Sequence, residues 1–160
     1  MSRAFVKEPD GLEAFDELPE KLVSEHRNLV TAHGLELIEA EVERLSAEHA
    51  AAQAANDRAA IARAQRDLHY WAQRRSTAEV MAPPSDAPPH EAKTVQFGST
   101  VTVVRDDGRR QKFRITGEDE SDPAKGSISY VSPLAQALMG KAVGDTVAAG
   151  AGEAEIVAIT

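Results

Sequence analysis

Two runs of apolar residues, spaced alternately three and four positions apart, constrain this chain more than any other feature. They occupy residues 35–52 and 61–78 and are separated by one short polar break. This alternation is the a/d pattern of a coiled coil, in which each helix buries one narrow stripe against its partner. Because so short a break must turn the chain back on itself, the pattern predicts an antiparallel helical hairpin over residues 31–80. The seam positions are Leu35, Ile38, Val42, Leu45, His49 and Ala52 in the first run, and Ile61, Ala64, Leu68, Trp71, Arg75 and Ala78 in the second.

The residue types at the helix ends agree with this assignment. Thr31 is a good N-cap for a first helix over about residues 32–55, and Asn56 or Asp57 can cap the second helix. At 1.5 Å per residue the first helix reaches roughly 36 Å. Alanine is dense around the break, which favours helix formation and a close approach of the two helices.

Charges flank the seam on both helices. The first run carries mostly glutamate and the second mostly arginine. Opposite flanks help to set the pairing of antiparallel helices, although each exposed pair contributes only about 0.2–1 kcal/mol. We therefore expect these charged flank residues, Arg74 among them, to be solvated.

The segments on either side of the hairpin have a different character. Residues 81–92 contain four prolines, which disfavour both helix and sheet pairing and predict a semi-extended linker at a domain boundary. Residues 1–30 are acidic and keep no lasting period, so they predict a mostly extended N-terminal arm. Its apolar residues around 15–18 are candidates for docking onto another part of the chain.

Residues 93–160 change to the two-residue period of β-strands. Asp106–Gly108 is typical of a hairpin turn, and Ser132 with Pro133 marks the start of one short helix over 134–139. The predicted fold class is therefore α+β, with the coiled-coil hairpin followed by a small antiparallel β domain that carries one short helix. The five predicted strands lie at 95–97 with 100–104, 112–115, 127–131, 143–147 and 154–159.

Composition excludes several classes of function. The chain has no cysteine, so disulfides, thiol nucleophiles and thiolate metal sites are ruled out. It has neither a long apolar run nor an apolar signal core, so we expect a cytoplasmic protein with no membrane partner. The net charge of −8 argues against autonomous nucleic-acid binding, which needs clustered cations. A polar or basic protein partner fits better.

Three ordered motifs in the β domain occur together at a recognisable spacing, over residues 95–102, 115–123 and 128–145. Together they resemble the C-terminal domain of the bacterial Gre transcription factors, GreA and GreB. The resemblance covers nearly all of residues 93–160, and residues 31–35 are similar to the helix-opening segment of the same family.

This resemblance implies a fold and a partner. The fold is an antiparallel coiled coil followed by an FKBP-like domain that has no isomerase role. The implied partner is RNA polymerase, with the C-terminal domain at the mouth of the secondary channel and the coiled coil inside the channel. In the family, acidic residues at the tip help to hold a Mg²⁺ ion of the polymerase active site, where backtracked RNA is cleaved.

It follows from the resemblance that the chain is not itself an enzyme. It is at most a cofactor for the RNA cleavage activity of the polymerase, with no cofactor of its own beyond a possible share in the polymerase Mg²⁺. DNA and RNA would be contacted only indirectly, through the transcription complex. We expect a monomer.

The tip departs from the family pattern. The family has an Asp and a nearby Glu in a motif of the kind Gly-Asp-Leu-Ser-Glu-Asn, whereas residues 54–59 of this chain offer one carboxylate, Asp57, next to Arg58. Asp57 is the possible tip acid, yet an N-cap role explains it equally simply. The hairpin is also shorter than in most of the family and in that respect is similar to Rnk-type relatives. We therefore expect weak or absent stimulation of transcript cleavage.

An acidic loop and the start of the short helix form the predicted polymerase-binding surface. A solvated turn is the alternative for the loop, and a metal site is a weaker one because the spacing of an EF-hand is missing. A cap explains Ser132 better than a nucleophile does, since no histidine stands in a patterned relation to it. The predicted residues are Glu118, Asp119, Glu120, Asp122, Ser132, Pro133 and Leu134.

The favoured interpretation is an RNA polymerase-binding regulator of elongation whose hairpin enters the secondary channel. One alternative is a non-catalytic competitor of other secondary-channel factors. Another, from the enzyme class, is an FKBP-type peptidyl-prolyl isomerase. Such a site needs an aromatic-lined pocket, and the domain offers only Phe97, Phe113 and Tyr130, all explicable as core.

Overall fold

The computed structural model describes residues 18–84 and 93–160. The predicted arm up to residue 17 and the linker residues 85–92 lie outside the described residues, so the predicted division of the chain into four segments stays a prediction. In chain order the elements are β1 (Leu29–Val30), α1 (Ala32–Ala54), α2 (Arg58–Thr77), β2 (Glu79–Val80), β3 (Thr100–Arg105), β4 (Arg110–Thr116), β5 (Ser127–Ser129), α3 (Pro133–Leu138), β6 (Thr146–Ala149) and β7 (Gly152–Ile159).

The two long helices begin at the caps that the sequence predicts. Thr31 caps α1, because the backbone N–H of Gly34 donates to the Thr31 Oγ1 at 3.0 Å. After α1 the chain turns at Asn56, which adopts the left-handed conformation with φ of 54°. Asp57 then caps α2, since its carboxylate accepts a hydrogen bond from the Ala60 N–H at 3.0 Å.

A short parallel strand pair brings the end of the hairpin back to its beginning. β1 pairs with β2, with Leu29 opposite Glu79 and Val30 opposite Val80. The 23 residues of α1 and the 20 residues of α2 span about 34 and 30 Å. Only a second helix that runs antiparallel to the first can return the chain to this point. The predicted antiparallel hairpin is therefore confirmed, whereas nothing in the sequence indicated the β1–β2 pair.

Burial along the helices follows the predicted seam with one exception. The prediction placed Arg75 in the seam and Arg74 in solvent, and this was wrong. Arg75 is exposed, and Arg74 at 1% exposure is the largest fully buried side chain among the described residues. One residue in a 3.6-residue turn rotates the side chain by about 100°, so a shift of one position moves a residue off the buried stripe. The buried seam residues are Ile38, Val42, Leu45, Ala52 and Ala64.

The described end of the N-terminal arm contacts α2. The Lys21 ammonium lies 3.1 Å from a carboxylate oxygen of Asp67 and 5.7 Å from the centre of the Tyr70 ring. Burial by itself raises the pKa of Asp67, but hydrogen bonds and charges from Lys21 and Arg66 outweigh it and lower that pKa on balance. Leu18 lines a groove on the same helix. The rest of the predicted docking segment lies outside the described residues.

The β domain confirms the predicted α+β class with two differences in detail. Its five-stranded sheet has the order β5-β4-β3-β7-β6 and is mixed, because β4 and β5 run parallel while the other pairs are antiparallel. The parallel pair arises because residues 117–126 carry the chain back beside Arg114 before β5 begins. The predicted strand at 95–97 does not form, and Thr94 makes only an isolated bridge to Ala142.

One side of this sheet packs on α3 and builds the core of the domain. Alternate residues of β3, Val101 and Val103, are fully buried, which is the two-residue period that the sequence predicts. α3 contributes Ala135 and Leu138 to the same cluster. The remaining core residues are Val95, Phe97, Ile115, Ile128, Val147, Ala149, Ala154, Ile156 and Ile159.

By their internal contacts the described residues form two compact units. One contains residues 18–24 with 39–76, and the other contains 25–38 with 77–84 and 93–160. The first turns of α1 therefore group with the β domain. Among the described residues, each helix is too short or too polar to cross a lipid bilayer.

Candidate functional site

The tip of the hairpin is slim and nearly uncharged. Residues 50–60 contain seven alanines and only two charged side chains, Asp57 and Arg58. All of residues 50–58 except Ala52 are exposed. Such a tip presents little side-chain bulk and one charge of each sign.

The one acid at the tip already has a structural task. The carboxylate of Asp57 accepts the Ala60 N–H, and the Asp57 carbonyl accepts the Ile61 N–H at 2.9 Å, which starts α2. Mg²⁺ is bound by several oxygen ligands at once. Within residues 18–84 and 93–160, no three acidic or histidine side chains come together as a metal site. Asp57 alone therefore does not fit the acid pair that the resemblance implies.

The acidic loop after β4 folds one of its predicted binding residues inward. The Glu120 carboxylate accepts hydrogen bonds from the Thr31 N–H at 3.1 Å, from the Thr31 hydroxyl at 2.6 Å and from the Gly117 N–H at 2.9 Å. A carboxylate at a helix N-terminus is stabilised by the helix dipole as well as by these donors. Glu120 thus fastens the start of α1, although its side chain stays partly exposed like those of the other acids of the loop.

Two glycines make room for this contact. A Cβ on Gly34 would lie 2.7 Å from the Glu120 carboxyl carbon, and a Cβ on Gly117 would lie 2.5 Å from the backbone oxygen of Leu29. Both distances are far shorter than van der Waals contact. Gly117 therefore requires glycine, because its neighbour is backbone, whereas a side chain at Gly34 would displace the Glu120 carboxylate from Thr31.

The other predicted residues of the loop remain at least partly accessible. Glu118 and Asp119 are half-buried, and one carboxylate oxygen of Glu118 is buried. Asp122 pairs with Lys125 at 3.2 Å, and its side chain is 43% exposed. These three acids are the part of the predicted surface that the loop presents.

The start of α3 divides its three predicted residues between cap, surface and core. The Ser132 Oγ accepts the Ala135 N–H at 3.3 Å, so Ser132 is the N-cap. Pro133, at the first helical position, is exposed. Leu134 packs against the core. Only Pro133 therefore offers its side chain fully to a partner.

The three aromatic residues of the domain are used in packing. Phe97 is buried and meets Tyr130 edge to face with ring centres 5.7 Å apart. The Tyr130 hydroxyl donates to the Arg27 carbonyl, and Phe113 packs against the core. They do not line an open aromatic pocket, which such an isomerase site would need.

Comparison with known proteins gives a consistent result. The sequence model described as "Transcription elongation factor, GreA/GreB, C-term" matches residues 89–160. The GreA transcription elongation factor of Desulfovibrio desulfuricans is 35% identical over 138 residues, which cover 86% of this chain and 79% of that protein. The GreA of Nautilia profundicola is 49% identical over 63 residues, or 39% of each chain. Seven further matches to curated GreA and GreB proteins, that of Nautilia among them, cover only 32–39% of the length of each relative.

Solved structures that match this chain include GreA factor homolog 1 of Thermus thermophilus. It is 19% identical to this chain, with a TM-score of 0.40 over 84% of this chain and 99% of that one. A GreA/GreB structure from Nitrosomonas europaea is 20% identical, with a TM-score of 0.39 over 85% of this chain and 99% of that one.

Proposed function

Because this chain belongs to the GreA/GreB family of transcription elongation factors, we propose that it binds RNA polymerase and regulates transcription elongation. The observation that carries the proposal is the similarity over 138 residues to a GreA protein. That similarity extends well beyond residues 89–160, which the family model matches, and so includes the hairpin. The β domain and the hairpin are therefore both expected to take part.

In this proposal the β domain is the anchor. The loop after β4 and the start of α3 face the polymerase, through Glu118, Asp119, Asp122 and Pro133. Glu120, Ser132 and Leu134 support this surface from within, since the carboxylate, the hydroxyl and the isobutyl group are each used inside the domain. An exposed proline beside acidic side chains suits a partner surface that is basic at its rim.

The hairpin would occupy the secondary channel without strong catalytic assistance. The small side chains at the tip suit a narrow passage. The single carboxylate at the tip caps α2, and one carboxylate supplies too few oxygen ligands to hold a shared Mg²⁺ ion well. We therefore propose a factor that acts mainly by occupying the channel and competing with other proteins that enter it.

Pro133→Glu tests the anchor. Glutamate is well tolerated at the first position of a helix because of the dipole, so the fold should be retained while the exposed contact changes. We expect binding to immobilised core RNA polymerase to weaken roughly tenfold or more, about 1.4 kcal/mol, because the apolar ring at the centre of the contact is replaced by a carboxylate that must be desolvated there.

Ala151→Glu in the turn between β6 and β7 is the matched control, because Ala151 is also exposed in the same domain and receives the same charge. It should bind like the unmodified protein. If neither the unmodified protein nor this control is retained at micromolar concentration, the proposed partner is wrong. If Pro133→Glu binds as well as the control, the surface has been misplaced.

Asp57→Ala tests the role of the tip. With a backtracked transcription complex, we expect the unmodified protein to leave the cleavage rate close to that of the polymerase alone, and Asp57→Ala to change nothing further. Asp57→Ser keeps a capping oxygen and separates loss of the acid from loss of the helix cap. Brisk cleavage that disappears in both variants would show that one carboxylate suffices.

A further inference from the structure

Three cations alternate along the solvent face of β4. Arg110, Lys112 and Arg114 are exposed, whereas the intervening Phe113 packs against the core. Residues two apart in a strand point to the same face and lie about 6.7 Å apart. The outer face of β4 is therefore a straight row of positive charges in a chain whose net charge is −8.

Hydroxyl side chains flank this row on both sides. On β3, Thr100 is paired with Arg114 and Thr102 with Lys112. On β5, Ser127 is paired with Arg114. Directly paired residues share a face of the sheet, so Arg114 lies between two hydroxyls and Lys112 beside one, whereas Arg110 is paired with Val104.

No carboxylate of the described residues forms an ion pair with the row, and Glu155 on the same face is separated from Arg110 by Val104 of β3. Two neighbouring arginines are held elsewhere, since Arg105 donates to Gln111 and the Ala149 carbonyl, and Arg109 pairs with Asp107 at 2.6 Å. Arg110, Lys112 and Arg114 have no ion pair within residues 18–84 and 93–160. Like charges along one strand repel, so the row is an arrangement that a polyanion would stabilise.

We propose that the outer face of β4 binds the phosphate backbone of nucleic acid. Arg, Lys, Ser and Thr side chains are the groups that contact phosphate oxygens, and they position nucleic acid without reading its sequence. Within residues 18–84 and 93–160, no exposed aromatic ring lies on this face for base stacking, which favours a duplex over separated bases. The acidic remainder of the chain repels a polyanion and leaves this face as the side that it approaches.

The proposal differs from the expectation that DNA and RNA are contacted only indirectly. That expectation rested on the net charge, which averages over the whole chain. Three cations lie together on β4, and the negative net charge of the whole chain does not reveal this local cluster. The inference does not depend on binding to RNA polymerase and is tested with the isolated full-length protein.

The experiment measures binding to a fluorescein-labelled DNA duplex of mixed sequence by anisotropy, as a function of salt. For three phosphate contacts the association constant should fall roughly 40-fold between about 50 and 200 mM salt, a slope of about −2.7 on logarithmic axes. In the variant Arg110→Gln, Lys112→Gln, Arg114→Gln, the slope should approach zero and binding at low salt should weaken at least tenfold.

A second triple variant gives the matched control. Arg63→Gln, Arg75→Gln, Lys141→Gln removes the same total charge from exposed positions elsewhere and should keep the slope of the unmodified protein. Equal loss in both triple variants would overturn the proposal, because only net charge would then matter. An unchanged slope in the β4 variant would overturn it as well.

Two further measurements complete the test. The single variant Lys112→Gln should lower the slope by about 0.9 and replaces the triple variant if that protein does not fold. A poly-glutamate peptide serves as competitor. If it displaces the labelled duplex at lower concentration than unlabelled duplex does, the face belongs to an acidic protein partner and the proposal fails.

Discussion

Replacing Arg74 with alanine is expected to lower the free energy of unfolding by about 2–5 kcal/mol, the range for truncating a large buried side chain. Arg74 is 1% exposed in α2. Its truncation removes a packed hydrocarbon stem and the guanidinium donors, and leaves buried neighbours without them. Since whole domains are stable by only about 5–15 kcal/mol, the loss would be visible in a urea titration followed by helical circular dichroism.

Arg75→Ala is the control for this measurement. The two residues are adjacent, have the same chemistry and lie in the same turn of α2, but Arg75 is exposed. Its truncation should change stability by no more than about 0.5 kcal/mol. Equal, small shifts for the two variants would mean that the enclosed position of Arg74 contributes nothing to the hairpin.

Replacing Gly117 with alanine is expected to cost about 1–3 kcal/mol, the range for inserting one carbon into a closely packed site. The added Cβ would lie 2.5 Å from the Leu29 backbone oxygen, so either the loop or β1 must move. Because the Gly117 N–H also donates to Glu120, movement of the loop would loosen the carboxylate from Thr31. We expect reduced thermal stability together with faster amide exchange in the first turn of α1.

Gly152→Ala separates this crowding from the general effect of adding a methyl group. A Cβ at that position meets only the Asp106 carboxylate, at 3.4 Å, which can move aside. Alanine also suits the strand β7 at least as well as glycine. We expect Gly152→Ala to melt close to the temperature of the unmodified protein. If its melting temperature falls as far as that of Gly117→Ala, close approach to Leu29 does not explain the effect at Gly117.

Local and periodic features of the fold were predictable from sequence. The caps at Thr31, Asp57 and Ser132 follow from side-chain chemistry over a few residues, and the structure confirms each of them. The buried positions of α1 and the alternation in β3 follow from the two periods of regular structure. The burial of Arg74 was not predictable in this way. A periodic pattern identifies the buried stripe of a helix, but it does not determine which long side chain at the margin of that stripe is buried.

The candidate site was less predictable, because side chains far apart in sequence decide what each acid does. Glu118, Asp119, Glu120 and Asp122 look alike in a polar loop. Glu120 meets the start of α1 and thereby gains a structural role that its place in the sequence does not indicate. The alternation of Arg110, Lys112 and Arg114 was visible in the sequence, yet its significance needed the neighbouring strands, whose register puts hydroxyls beside Lys112 and Arg114 and no acid directly opposite the row.

Sequence by itself determined the helical hairpin, the α+β class and the family, because heptad spacing, turn residues and ordered motifs are local and repeat along the chain. Tertiary structure alone decided which charges remain available to a partner. The free energy of a charged group depends on its burial and on donors brought from distant elements, and those distances exist only once the chain has folded. That folding buried Arg74, engaged Glu120 at the start of α1 and left the cations of β4 exposed.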